Sequence, residues 1–234
     1  TQPRTSSPLE AALHAGALVL TTEVRSPRRA TWDGVDGEAA ALAARCTAIN
    51  ATAFLSGQAA MPSGAVAARL AARGAVPIAQ LTGRDHTRAG AVGEAMAIRA
   101  AGVTDLLCLT GDWPTRGAGG ADARSSLARP VFDLDAALLL RAVRAMPGPP
   151  LFLGCAANTD AEPRLAARRL LQKADAGADF VQTQVVTDPA RLRGFLAAWH
   201  AAGLHRRLFL IVGVPLVVSL RALDHLERLP GVRP

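Results

Sequence analysis

Short apolar runs recur seven times along the chain, each followed by an amphipathic stretch, and this alternation restricts the fold more than any single motif does. The runs predict strands at 17–23 (ALVLTTE), 46–50 (CTAIN), 76–81 (VPIAQL), 105–110 (DLLCLT), 151–155 (LFLGC), 180–186 (FVQTQVV) and 208–212 (LFLIV). The Ala-, Leu- and Arg-rich segments 36–45, 64–73, 88–101, 133–146, 162–176, 189–202 and 219–228 have helical periodicity. Asp133, Asp188 with Pro189, and Ser219 are expected helix starts, and Gly74, Gly102, Gly177 and Gly203 expected stops. Such a string predicts a parallel sheet with crossover helices.

Two architectures use it, an open doubly wound sheet and a closed (β/α)8 barrel. The doubly wound sheet should show G-x-G-x-x-G after its first strand, but here that strand runs into TTEVRSPRR without a glycine. The near-uniform unit length also suits an α/β TIM barrel, and a single barrel domain over 1–234 is expected. Seven units are one short, and the sequence ends at LPGVRP, where an eighth strand would begin. The barrel is therefore expected to be incomplete at its C-terminal side, by truncation or because a partner closes the gap.

The 26 Lys and Arg outnumber the 19 Asp and Glu, which raises the question of nucleic acid. Yet the arginines are scattered over alternate elements, tyrosine is absent, and the aromatic residues do not interleave with basic ones. Solvated helix faces are the expectation, with no nucleic-acid partner, although an anionic small ligand could use a few of the arginines. No stretch approaches the roughly 20 apolar residues of a membrane span. The first twenty residues lack the basic start, long apolar run and cleavage site of a signal peptide, so a cytoplasmic protein is expected. Cys46, Cys108 and Cys155 are far apart in apolar runs and read as small buried hydrophobes, with no disulfide or metal site. One basic residue stands out, since Lys173 is the single lysine beside 25 arginines. Either it is an accident of composition or a slim ammonium fits there and a planar fork does not.

In a barrel the reactive groups gather at the C-terminal strand ends. Read in order, these are Glu23, Asn50, Gln80 with Thr82, Asp112, Asn158, Gln184 and Gly213. A carboxylate such as Glu23 in an apolar strand is costly unless something functional holds it. Longer loops follow the second strand (51–64) and the fourth (111–130). The latter, glycine-rich and attached beside Asp112, is expected to be a lid over the barrel mouth or a plain surface loop. Trp113 within it stacks on a ring system or anchors the loop.

TTEVRSP, QLTGRDHTR, LLCLTGDWP, ARPVFDLDAALLL, GCAANTDAEP and KADAGADFVQTQ follow one another from residue 21 to 184, with the weaker LFLIVGVPLVVSLRAL after them. Together they resemble the methylenetetrahydrofolate reductases, particularly the short bacterial branch of acetogens and relatives. The resemblance implies hydride transfer, through a flavin in most members, onto the one-carbon bridge of 5,10-methylenetetrahydrofolate, giving 5-methyltetrahydrofolate. The five-membered ring must open to an iminium ion, which needs a proton at N10. Glu23 matches the family's general acid, and a carboxyl near an apolar barrel mouth can hold its proton near neutrality. Asp112 matches the acidic residue that orients the pterin and influences the flavin. Gln184 matches the amide that contacts the folate ring and yields to the nicotinamide, an amide supplying donor and acceptor together.

Flavin contacts are implied at Asn50, Gln80, Thr82, Arg84, Gly111, Asp112, Gly154, Asn158 and Lys173, with NAD(P)H as reductant. Lys173 matches the family lysine ahead of the DAG turn, where an ammonium meets the flavin's phosphate or ribityl end. A Schiff-base role fits poorly, because this lysine precedes the sixth strand on its helix. The remaining reading is a charge satisfying the last helical carbonyls. His86 faces the flavin phosphate or, more commonly for a loop histidine, lies exposed. His225 is expected at the surface. Departures are visible too: Gln80 stands where many members carry histidine, GCAAN offers alanines and Asn158 where others have tyrosine, and Ala166 falls near an acidic flavin contact. The flavin is therefore FMN or FAD. A flavin-free reductase, or a folate- or flavin-binding subunit with little activity alone, are the alternatives. Unpaired edges at the first and seventh strands predict a homo-oligomer or a partner subunit.

Overall fold

A computed structural model describes residues 2–53, 59–112 and 129–227. The tip of the loop after the second strand, Trp113 and most of the glycine-rich segment expected as a lid lie outside them, as does the expected last residue of the final helix. By its contacts the chain divides into two compact units, residues 1–153 and 154–234.

The first unit opens with a helix the repeating pattern does not announce, α1 (Pro8–His14). Ser7 caps it by accepting a hydrogen bond from the Glu10 N–H at 3.0 Å, proline sits in its first turn, and Leu9 is fully buried. Seven residues are too few to show a period, which is why the helix was not legible. Then come β1 (Thr21–Val24), α2 (Asp33–Leu42), β2 (Ala48–Ala51), α3 (Ser63–Ala72), β3 (Pro77–Thr82), α4 (Arg88–Ala100), β4 (Asp105–Leu109) and α5 (Ala136–Arg144). A single 3-10 turn, Gly83–Asp85, follows β3. β1 to β4 lie side by side in sequence order and pair in parallel. Around them pack the fully buried Ile49, Leu70, Ile78, Leu81, Ile98 and Leu106, each contributing about 1.5–3 kcal/mol of burial.

The second unit takes in most of β5 (Phe152–Ala157), then α6 (Pro163–Asp175), β6 (Phe180–Val185), α7 (Pro189–Ala201), β7 (Phe209–Gly213) and α8 (Leu220–Glu227). β5, β6 and β7 are again parallel and in sequence order. Phe180, Phe195, Leu170 and Leu204 form its buried interior. A doubly wound sheet reverses its strand order at a switch point, whereas a barrel wall does not. The fold is thus α/β of the TIM-barrel type, with seven strand–helix units among the described residues.

Several boundaries differ from expectation, α2 by three residues at each end, and two of the differences have a visible cause. The first strand begins at Thr21 instead of residue 17, and among the described residues the run before it is left uncovered: Leu18 is 96% exposed and Leu20 58%. α5 starts at Ala136, capped by the Asp135 carboxylate, which accepts from the Leu138 N–H at 2.8 Å. Asp133, the expected start, instead accepts from the Arg88 N–H at 2.7 Å and so serves the first turn of α4. The four glycines expected to stop helices all take positive φ, between 69° and 105°. No helix among the described residues is long and apolar enough to cross a membrane.

Candidate active site

In the first unit the β1–β2 register sets Glu23 directly beside Asn50. Glu23 is exposed, not sunk in the apolar mouth that sequence suggested, on a strand that among the described residues pairs with β2 alone. Asn50 is buried; its Nδ2 donates to the Thr22 carbonyl at 3.2 Å, while its Oδ1 has no partner among the described residues. A buried acceptor left unpaired in a folded protein calls for an explanation, and a ligand N–H or O–H supplies one. Gln80, half-buried on β3, accepts from the Ala53 N–H at 3.2 Å through Oε1 and so ties β3 to the segment after β2.

Past β3, the GRD turn forms a compact ionic hub. Arg84 is 3% exposed and grips Asp85 with both arms, Nε to Oδ1 at 2.8 Å and Nη2 to Oδ2 at 2.7 Å. Its third nitrogen, Nη1, donates to the Asp112 carbonyl at 3.1 Å, and the Thr82 hydroxyl donates to Asp85. Burial raises the Asp85 pKa, but the bonds from Arg84 and Thr82 and the Arg84 charge outweigh it and hold the carboxyl below its usual value. The guanidinium of Arg84, expected to face the flavin, is thus turned to Asp85 and to the backbone of Asp112. The Thr82 hydroxyl is engaged in the same hub. His86 is half-buried, its Nδ1 2.9 Å from the Thr82 carbonyl. Gly111 has φ +85°, a conformation that glycine adopts without strain, and a Cβ there would stand 2.8 Å from that of Arg84. Asp112 follows it with its side chain exposed. The main chain from Thr110 to Asp112 is therefore pinned by Arg84, whose own N–H donates to the Thr110 carbonyl at 2.8 Å. Asp85, which organises all of this, was not singled out in the sequence, although its place between an arginine and a histidine in GRDH was a signal.

In the second unit Lys173 is half-buried on α6, and its Nζ donates to the Ala156 carbonyl of β5 at 2.7 Å. It satisfies a strand carbonyl and not the helical ones. Gly154 is buried on β5, where a Cβ would meet the ring of Phe180 at 2.3–2.8 Å. Asn158 turns its Oδ1 to the Asp160 N–H at 2.8 Å, a local turn just past the strand. Gln184 sits where the β6–β7 register shifts between Gln182 and Val185, with the Thr183 hydroxyl accepting from the Gly213 N–H at 2.8 Å. Bulges of this kind re-aim side chains and gather near active sites. Gln182, which sequence reading passed over, has a buried Nε2 without a partner among the described residues. Its place two residues before Gln184 on the same strand was the available signal.

Cys108 and Cys155 are buried as expected, Cys155 with its thiol pushed up to about 11 by burial, while Cys46 is half-buried. Among the described residues no group of three or more His, Cys, Asp or Glu is placed to hold a metal.

The architecture and its polar strand ends define an α/β TIM-like protein, and solved structures of that kind resemble it. A Clostridium thermocellum protein that binds two copies of 5-methyl-5,6,7,8-tetrahydrofolic acid superposes with a TM-score of 0.63 at 14% identity, over 94% of this chain and 74% of that one. Phosphonopyruvate hydrolase gives 0.59 at 14% identity, over 94% and 82%. Phosphoenolpyruvate phosphomutase from Streptomyces platensis gives 0.56 at 16%, over 94% and 84%. At such identities the likeness speaks for the fold. The sequence carries the rest: the model of the methylenetetrahydrofolate reductase family matches residues 9–233, and the chain belongs to that family of folate-related oxidoreductases. None of the curated proteins compared with the chain matches it.

Proposed function

We propose that the chain reduces 5,10-methylenetetrahydrofolate to 5-methyltetrahydrofolate, with Glu23 as the acid that protonates N10. The observation that carries this reading is the family match across residues 9–233. The folate-binding neighbour from Clostridium thermocellum supports the substrate class.

The donor set fits a flavin. Among the described residues the buried Asn50 Oδ1 of the first unit is an acceptor without a partner, and the buried Gln182 Nε2 of the second a donor without one, each suited to a polar ligand edge. Lys173 retains two further N–H groups beside the one given to Ala156, suited to a phosphate or ribityl oxygen. A bound FMN or FAD, reduced by NAD(P)H, would supply the hydride. The chain's own part is to hold and move protons and to orient the folate. Glu23, at the end of β1, delivers its proton to N10 as the ring opens, its exposed carboxyl being shielded from water only by the bound folate itself. Asp112, its backbone fixed by Arg84, orients the pterin edge, and Gln184 on the β6 bulge reads the folate ring. We also assign a second copy of the chain as the cover for the strand edges, the two units together making one barrel domain in the cytoplasm.

Rapid-mixing kinetics of Glu23→Gln test the assignment. Folate reduction should fall by about a hundredfold or more, the usual weight of a general acid, while reduction of the cofactor by NAD(P)H stays nearly intact. Equal loss in both half-reactions removes Glu23 from the role. Purified protein that is colourless yet reduces the folate with NADH would replace the flavin-dependent reading by direct hydride transfer.

A further inference from the structure

The side chains of Arg84 and Asp85 are 3% and 7% exposed, an ion pair buried just past the C-terminal end of β3, the end of a barrel strand where chemistry is done. Burial makes such a pair a weak source of net stability, because desolvation offsets much of the attraction. A pair kept at this place calls for another use.

Three pieces of chain meet at it. One is the end of β3, whose Thr82 hydroxyl donates to Asp85. The second is the chain leaving β4: the Arg84 N–H donates to the Thr110 carbonyl at 2.8 Å, and Nη1 to the Asp112 carbonyl at 3.1 Å. The third is the chain entering α5, where the Arg84 carbonyl accepts from the N–H groups of Val131 at 2.7 Å and Phe132 at 3.4 Å. Two glycines permit this approach, since a Cβ on Gly83 would run into the Leu134 carbonyl and one on Gly111 would stand 2.8 Å from the Arg84 Cβ. Phe132 has φ +45°, a left-handed conformation that is costly for a bulky residue and is found at no other non-glycine among the described residues. Strain of that kind persists only where the surroundings hold it, and it gathers at functional sites.

Asp85 takes Nε and Nη2 of Arg84 at 2.8 and 2.7 Å, which fixes the plane of the guanidinium and with it the direction of Nη1. Asp85 therefore sets where Arg84 points, and Arg84 sets where the Asp112 backbone lies. The Asp112 side chain is exposed, so its placement follows from the anchored main chain. We infer that the Arg84–Asp85 pair is a positioning device for the reduction: it holds Asp112 where its carboxylate meets the pterin, and itself touches neither folate nor flavin. The inference rests on the reductase reading and gives Arg84 a part other than the flavin contact its motif implies.

A double-mutant cycle tests it, by calorimetric titration of 5-methyltetrahydrofolate and of FMN into the full chain as wild type, Arg84→Lys, Asp112→Asn and the double variant. Lysine keeps a charge beside Asp85 and gives up the planar fork that reaches Asp112. Arg84→Lys should weaken folate binding about three- to tenfold and Asp112→Asn about tenfold, the weight of a hydrogen bond to a charged group, while FMN affinity stays within about twofold. The double variant should bind the folate no more weakly than Asp112→Asn alone, because the arginine has nothing left to position. Losses that multiply overturn the inference, since a general structural defect lowers binding whatever stands at position 112. So does unchanged folate affinity in Arg84→Lys, or a loss confined to FMN, which would return Arg84 to the flavin. Asp85→Asn removes the carboxylate that aims the fork; it should follow the same cycle, and takes the place of Arg84→Lys if that variant does not fold. A wild type that binds no folate defeats the reductase reading and this inference together.

Discussion

Asp105 shows how a single residue can matter to this fold without belonging to its chemistry. It is fully buried at the start of β4, the end of a barrel strand that serves stability. Burial lifts its pKa to about 6, against the lowering effect of hydrogen bonds from Ser7 at 2.5 Å and Thr104 at 2.7 Å, with the Glu10 charge adding to the rise. The unfolded carboxyl titrates near 3.9, so between about pH 4 and 6 the folded chain keeps a proton the unfolded chain has released. Stability therefore falls as pH rises through that window, by about 3 kcal/mol for a shift of roughly two units. Asp105→Asn keeps an acceptor for Ser7 and removes the charge. Denaturant titrations should find the variant about 1–3 kcal/mol more stable than wild type at pH 7.5 and level with it at pH 4; a gap that does not change with pH would refute this account. None of this was legible in the sequence, where Asp105 is only the first letter of an apolar run. Its surroundings come from α1, nearly a hundred residues earlier. Lys173 was legible in part: its singularity marked a place for a slim ammonium, but only the fold shows a strand carbonyl as its partner.

At the scale of elements, strand positions were readable because an apolar run of about five residues fixes one strand to within a few residues. The turns were less so, since caps depend on which of two nearby carboxylates reaches the free N–H groups, as at Asp133 and Asp135. Glycines in motifs were the least readable of all. Gly154 belongs to the GCAAN stretch and was assigned to cofactor binding, yet its register partner on β6 is Phe180, whose ring occupies the space a side chain would need. Gly154→Ala should lower stability by about 1–3 kcal/mol through overpacking, and Phe180→Leu in the same chain should restore part of it. The absorption spectrum of any bound flavin should be unchanged in the folded variant. Loss of flavin at unaltered stability would return Gly154 to the cofactor role. The bulge that carries Gln184 is a further case: the FVQTQ run reads as a regular strand, and the register shift arises only when β6 meets β7.

For the molecule as a whole, the decisive feature is uncovered apolar surface at the strands with one neighbour. Among the described residues β1 pairs with β2 alone, and the lead into it exposes Leu18 and Leu20; β7 pairs with β6 alone, and the run after it exposes Val214 at 78%, Leu216 at 85% and Val218 at 77%. Unpaired strand edges present rows of free N–H and carbonyl groups, and proteins cover them or pair them. Apolar side chains clustered beside such an edge mark an interaction surface, whereas scattered ones would not. A two-fold contact, in which the apolar run after β7 meets its counterpart in a second copy, is the simplest closed arrangement that hides that run. Sequence could count seven strand–helix repeats, but not which side chains are left uncovered, because that depends on which face of each strand its neighbours take. Leu216→Asp with Val218→Asp places two charges in the apolar run after β7, at positions assigned to no folate or flavin contact. Light scattering should find wild type at a multiple of the monomer mass and the double variant at the monomer mass, with a lower melting temperature. A wild-type protein that is monomeric and fully active would show that the edges need no second copy, and the apolar run after β7 would then require a different occupant.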